Sequence, residues 1–327
     1  MRERKQWGIC LMMSLVLGAC DDKVRTTTGD DGGGVRTWHV GSVGRTWTDP
    51  RRDDTASPAA GDKRTVMTRI YFPADGPGQT TVSRRGAPFP LIVFSPGYCV
   101  NSEDYAPLLT NLAENGFVVT AVDHPYVSAS VTYPGGEQVR CNNALSDEQA
   151  LRLVSDDLAF ALEETLAIDA GADGAFGDVI DETRLGVFGH SMGASGSADV
   201  FFAQPRFDAL VMLDGDVWFD VPGGRRPIPS DPRPLLLHNA GTHTLATDPT
   251  QQALWDSATG SRFAVEASSQ SHRSYIFGSG AANEFARLVQ AYNLAFFQMA
   301  LRGAPVADVL SLQARFPSAT VRYNAAE

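Results

Sequence analysis

The chain has 327 residues, 43% of them hydrophobic, and a formal net charge of −11. That length and apolar content support a substantial core. The acidic balance is spread along the chain with no basic stripe to offset it, which argues against nucleic-acid binding and against electrostatic adhesion to anionic lipid.

At the N-terminus, Arg2, Arg4 and Lys5 precede an apolar segment, Trp7 to Leu17, that is too short to span a bilayer. The segment ends in Leu17-Gly18-Ala19-Cys20, which is similar to the bacterial lipobox. This pattern predicts a signal peptide over residues 1–19 and a lipid-modified Cys20 at the new N-terminus. The protein is then expected in the bacterial cell envelope, facing the periplasm or exterior. Small residues before a cut also suit an ordinary signal peptidase, which leaves plain secretion as the alternative. Cleavage removes Arg2, Arg4 and Lys5 against Glu3, a net +2, and takes the charge from −11 to −13. Membrane attachment would therefore rest on the lipid. Residues 20–37, with "TTTGDDGGG" in their middle, have almost nothing to bury and read as a flexible tether. No later composition break or internal repeat divides residues 38–327, which form a single predicted catalytic domain.

Seven apolar runs of strand length follow in order: Val66 to Phe72, Pro90 to Ser95, Phe117 to Asp123, Arg184 to Gly189, Ala209 to Asp214, Pro234 to Asn239 and Arg262 to Ala267. Most are apolar almost throughout, the mark of strands buried on both faces. Helical patterns lie between or after them, at Asp104 to Asn115, Ser146 to Ala170, Met192 to Ala203, Pro249 to Ala258 and Ala281 to Arg302. This alternation predicts an α/β fold with a mostly parallel central sheet and helices on both faces.

Gly189-His190-Ser191-Met192-Gly193 fits the G-x-S-x-G nucleophile elbow, a strand-to-helix turn of the α/β-hydrolase fold. A serine there has an exposed hydroxyl, the helix N-terminus directs N–H groups at a developing oxyanion, and flanking glycines allow close packing. The string alone is weak, but an apolar strand leads into it and the small residues Gly193 to Ala198 lead out. Ser191 is the candidate nucleophile and Met192 a candidate oxyanion donor. On this fold the order is serine, acid, histidine. His272, in the loop beyond the last apolar run, is the candidate base, with His243 as the alternative; His238 lies inside a strand and reads as a packed or capping residue. The usual place for the acid follows the seventh strand of the fold, where this chain reads Asn239-Ala240-Gly241-Thr242-His243 and offers no carboxylate until Asp248, an apparent N-cap. The acid is therefore expected at Asp214, at the end of the preceding strand, with Asp216 as its rival because side-chain direction repeats every second residue. Tyr98, in "SPGYCVNSEDY", is the second candidate oxyanion donor. Trp218 and Phe219 are expected either to shape a substrate pocket or to pack as core aromatics. Cys99 and Cys141 remain after the signal's Cys10 and Cys20, and in an oxidising compartment they are candidates for a disulfide.

From about Pro90 to Gly303 these residues resemble the plasma-type and type II platelet-activating-factor acetylhydrolases. The likeness is carried by "PLIVFSPG", "LAENGFVVTAVDHPYVSASVTY", "GVFGHSMGAS", "RFDALVMLDGDVW" and "PLLLHNAG". Intervals of 23 residues from Ser191 to Asp214 and 58 from Asp214 to His272 are also similar to that family's triad spacing, which favours Asp214 over Asp216. The resemblance implies hydrolysis of a short-acyl or oxidised glycerophospholipid ester without metal or cofactor. One departure is Pro96-Gly97-Tyr98, where those enzymes carry a histidine before the glycine. This triplet is similar to bacterial cutinase-like polyesterases, which makes a general carboxylesterase or polyesterase the alternative and a non-catalytic lipoprotein the remaining one.

Overall fold

In the computed structural model of the chain, residues 37–171, 176–217, 220–221, 224–225, 228–278 and 283–327 are described. The expected signal peptide, Cys20 and most of the tether fall outside them, as do Trp218 and Phe219. The central sheet consists of β1 (His39–Asp53), β2 (Lys63–Ala74), β3 (Phe89–Ser95), β4 (Val118–Asp123), β5 (Ile180–His190), β6 (Ala209–Leu213), β7 (Leu235–Ala240), β8 (Arg262–Ala267) and β9 (Thr320–Asn324). Their spatial order is β1-β2-β4-β3-β5-β6-β7-β8-β9. The strands from β4 through β3 to β8 pair in parallel, whereas β1, β2 and β9 are antiparallel additions at the two edges.

The parallel strands are continuous apolar runs because each strand has a covered side above and below. Leu91 and Val93 of β3 enter one core, while Ile92 and Phe94 enter the other. The first core is closed by α2 (Asp147–Ala170), α3 (Met192–Ala203) and α4 (Pro249–Ser257), through Leu158, Ala198 and Leu254 among others. Across the sheet, α1 (Ala106–Glu114) and α5 (Glu284–Arg302) cover the second core with Leu109, Leu112, Val289 and Phe296. A final helix, α6 (Val306–Arg315), leads into β9. No helix among the described residues is long and apolar enough to cross a membrane.

Local chemistry sets the helix ends. Ser146 accepts from the Gln149 amide and the Gln149 side chain returns the bond, so α2 starts one residue inside its predicted span. Asp248 caps α4 ahead of Pro249, and Asn283 caps α5. The two edge strands and α6 are absent from the pattern of apolar runs. β1 alternates partly buried and exposed residues, β9 has no fully buried position, and α6 buries only Val309, so a search for apolar runs passes over them.

A buried ion cluster ties the edge of the sheet to α2. Arg64 of β2 donates to Asp157 of α2 at 2.6 Å and to Asp54 at 3.2 Å, and Arg52 reaches Asp157 at 2.9 Å. Burial alone would raise the Asp157 carboxyl, but the Arg64 charge and the bond from His124 hold it well below the usual carboxylate range.

Candidate active site

Ser191 follows the last residue of β5 and caps α3 with φ 54° and ψ −123°, a left-handed conformation rare for a residue with a Cβ. Surrounding contacts impose that turn. The Ser191 amide donates to the Leu213 carbonyl at 3.0 Å, and the Ser191 carbonyl accepts from Ala194 and Ser195 in the first turn of α3. The glycines on either side are required by packing. A Cβ on Gly189 would lie 2.3 Å from the Gly193 carbonyl oxygen, and one on Gly193 would lie 2.3 Å from both the Ser95 and Pro96 carbonyl oxygens. At these glycines, strand, elbow, helix and the loop bearing Tyr98 pack backbone against backbone.

His272 lies in a single 3-10 turn, His272–Tyr275, after β8. Its Nε2 is 2.8 Å from Ser191 Oγ and its Nδ1 is 2.6 Å from Asp214 Oδ2. Asp214 directly follows β6, also with positive φ, and is only 2% exposed. Burial would raise its carboxyl, but bonds from His243, His272 and the Ala240 amide outweigh that and hold it at about 2. It is therefore ionised at neutral pH and accepts from Nδ1–H, which turns Nε2 toward the serine proton. The Asp216 carboxylate bonds His243 instead. Thus Asp214, not its rival, is the acid brought to His272, and His272, not His243, is the imidazole brought to Ser191.

Tyr98 and Met192 flank the serine. Met192 is the first residue of α3, and the first-turn N–H groups of a helix have no acceptor within it. Gly97 approaches Ser191 so closely that an added Cβ would lie 3.4 Å from the serine Cβ. Tyr98 turns its hydroxyl to the Asn142 carbonyl at 2.6 Å, and the neighbouring Cys99 is joined to Cys141 by a disulfide with a Cα separation of 5.2 Å. The loop that carries Tyr98 is thereby fastened to the segment before α2.

Two buried histidines that chain order excludes as the base support the same loops. His190 Nε2 is 3.0 Å from the His272 carbonyl oxygen and must donate to it; burial lowers the ring's pKa to about 3, so the neutral Nδ1 accepts from Tyr105 Oη at 2.7 Å. Tyr105 Oη in turn accepts from the Gly97 amide at 3.3 Å. A single chain of hydrogen bonds thus joins the Tyr98 loop, the elbow and the His272 loop. His124 forms a second hydroxyl–imidazole–carboxylate chain, with Ser95 Oγ and Asp157 Oδ2 each 3.0 Å away. All three residues have zero exposure, so this chain can brace the start of the Tyr98 loop but cannot meet a substrate.

Ser191, His272 and Asp214 open onto a cavity of about 750 Å³ lined also by Tyr98, Asp147 and Asp216. His243 lies on its wall, in the loop after β7, and three carboxylates surround its ring: Asp214 at 3.0 Å from Nδ1, with Asp216 at 2.9 Å and Asp248 at 2.6 Å from Nε2. Those bonds raise its pKa to about 11 against the opposing effect of burial. The sequence indicated that this loop lacks an acid; it did not indicate that the histidine found there bonds the acid supplied by β6.

Known proteins resemble the chain in sequence and in fold. A family model described as platelet-activating factor acetylhydrolase, isoform II, matches residues 64–165, a segment that includes Tyr98 but stops short of Ser191. A probable 1-alkyl-2-acetylglycerophosphocholine esterase of Arthroderma benhamiae is 26% identical over 175 residues, covering 51% of this chain and 41% of that protein. Platelet-activating factor acetylhydrolase of Bos taurus is 30% identical over 186 residues, covering 48% and 41%. Cutinase est2 of Thermobifida alba is 29% identical over 144 residues, covering 43% and 40%. The chain thus matches about two-fifths of the length of these relatives. Among solved structures, a ferulic acid esterase from Streptomyces cinnamoneus superposes with a TM-score of 0.70 at 23% identity, covering 86% of this chain and 96% of that one. The chain has the α/β-hydrolase fold and resembles both the acetylhydrolases and the cutinases.

Proposed function

We propose that the protein is a serine carboxylic-ester hydrolase that works through an acyl-enzyme. The observation that carries this reading is the continuous contact from Ser191 Oγ through His272 to Asp214 at the floor of an open cavity. His272 Nε2 takes the serine proton as Oγ attacks the ester carbonyl. Asp214 fixes the tautomer and stabilises the imidazolium. The Tyr98 and Met192 amides receive the oxyanion, His272 returns the proton to the departing alcohol, and water then repeats the cycle on the acyl-enzyme.

The substrate class we infer is a short-acyl phospholipid ester of the platelet-activating-factor type. Supporting it are the acetylhydrolase relatives, the placement of the acid after β6, and a cavity of a size usual for small-molecule ligands. Its described lining includes the carboxylates of Asp147 and Asp216 and no lysine or arginine, which disfavours an anionic leaving group. A second reading, a polyesterase or general carboxylesterase, draws on the cutinase relatives and on Tyr98 in the oxyanion loop. Acylation of Cys20 and attachment in the cell envelope complete the proposal; palmitate incorporation that persists in Cys20→Ala would refute the anchor.

The test is labelling by a fluorophosphonate probe together with turnover on a short-acyl phosphatidylcholine, p-nitrophenyl acetate and a polyester film. Labelling that vanishes in Ser191→Ala, with highest kcat/KM on the phospholipid, is the expected result. An unlabelled, inactive wild type refutes the hydrolase, and preference for the film refutes the substrate class.

A further inference from the structure

We propose that His243 is a positioning residue for the reaction: held as an imidazolium by three carboxylates, it fixes Asp214 and balances the negative charge that His272 senses. The inference rests on the hydrolase reading above and adds a residue to it.

The argument begins with hydrogen-bond capacity. An ionised carboxylate only accepts, so each ring nitrogen facing one must carry a proton. Nδ1 of His243 faces Asp214 Oδ1, and Nε2 faces Asp216 Oδ1 and Asp248 Oδ2. Both nitrogens therefore donate, and the ring is charged. Asp214 then has a different task for each oxygen. Oδ2 serves His272, while Oδ1 accepts from His243 and from the Ala240 amide, so the carboxylate cannot rotate without breaking two bonds. His243 stands in the loop where this fold usually carries its acid and anchors an acid that comes from the neighbouring strand instead.

The second effect is electrostatic. The segment after β6 turns Asp214 and Asp216 toward His243, α4 contributes Asp248 from its cap, and His272 lies on the other side of Asp214. Glu266 of β8 is engaged by the Leu245 amide two residues along the loop, and Asp147 at the start of α2 lines the same cavity. With His243 charged, the four groups His243, Asp214, Asp216 and Asp248 carry −2; with a neutral residue they carry −3. The extra negative charge favours the protonated form of His272, the form that cannot act as base. A unit charge at ~7 Å in a partly solvated site corresponds to a displacement of roughly one pH unit.

The experiment measures kcat and KM for p-nitrophenyl acetate from pH 5 to 9.5 in wild type, His243→Gln and His243→Lys. It is paired with ¹⁵N NMR of the histidine rings in the wild type. In His243→Gln, kcat at pH 7 is expected to fall roughly tenfold to a hundredfold with KM nearly unchanged, as the base and acid lose alignment. The acid limb of kcat/KM should move up by about one pH unit. His243→Lys, which keeps the charge, should hold the limb near its wild-type position. In the NMR experiment both His243 nitrogens should stay protonated at pH 9. An unmoved acid limb in a folded His243→Gln overturns the proposal whatever its kcat, and so does a His243 ring that titrates below pH 8. The NMR result stands if His243→Gln fails to fold. A wild type with no esterase activity would refute the hydrolase reading separately.

Discussion

Replacing Gly193 by alanine tests whether the elbow and the oxyanion loop are held in register by backbone packing. The new Cβ would stand 2.3 Å from the carbonyl oxygens of Ser95 and Pro96 and 2.7 Å from the Ser95 carbonyl carbon. Those atoms are main chain and cannot swing aside. Retreat is blocked as well, because the Gly193 carbonyl already faces Gly189 so closely that a Cβ there would lie 2.3 Å away. Restoring ordinary contact requires the start of α3 and the Tyr98 loop to separate by roughly 1 Å. Overpacking of this kind costs about 1–3 kcal/mol of stability, and a protein of this size loses roughly 2–4 °C of Tm per kcal/mol. Catalysis suffers more, because an oxyanion donor must lie within about 3.1 Å of the developing charge, and losing one lowers kcat on the order of a hundredfold to a thousandfold. The assay is kcat and KM on a soluble aryl ester beside a melting curve. Gly196→Ala is the control: its Cβ would strike the Val154 side chain at 2.3 Å, one turn further from the loop, so it should lower Tm while sparing kcat. Gly193→Ala turnover within threefold of wild type would refute the reasoning.

Four further outcomes follow from the same geometry. Ser191→Ala and His272→Ala should each lower kcat by several orders of magnitude and Asp214→Asn by somewhat less; an Asp216→Asn variant more damaged than Asp214→Asn would overturn the acid assignment. Stability should peak near pH 6.5. Below that pH the unfolded chain protonates His190 and His238, whereas burial lowers their folded values to about 3 and about 4, which costs roughly 2 kcal/mol each at pH 5. Above it, the unfolded chain releases the His243 proton that the native state keeps up to about pH 11, so stability declines again; denaturant unfolding across pH 5 to 9 that shows no maximum would contradict this. Asp157→Asn leaves Arg64 buried with its main counter-ion gone and should cost about 3–5 kcal/mol in urea unfolding. Cys99→Ser with Cys141→Ser opens a loop of 42 residues and should cost about 2–4 kcal/mol, with a fall in kcat larger than the change in KM because Cys99 adjoins Tyr98.

Much of the framework was legible in the residues. Runs such as Pro90 to Ser95 are almost wholly apolar because both faces of their strands are covered, and the elbow is marked by glycines that close backbone packing requires. Even which carboxylate would meet His272 could be read, since none follows β7 before the N-cap of α4. β1 and β9 were not legible, because an edge strand buries little and its composition resembles a loop.

What the amino-acid sequence determined by itself is therefore local: strand and helix periods, the caps, the small residues of the elbow, and the order of serine, acid and histidine. Only the tertiary structure decided which groups meet. It turned Asp214 rather than Asp216 toward His272, set His243 29 residues along the chain against the same carboxylate, and brought the His190 ring against that of His272. The physical reason is that periodicity and capping depend on neighbours in the chain. Hydrogen-bond partnership and protonation depend on distances fixed by strand register, and on charges brought together from loops that are remote in sequence.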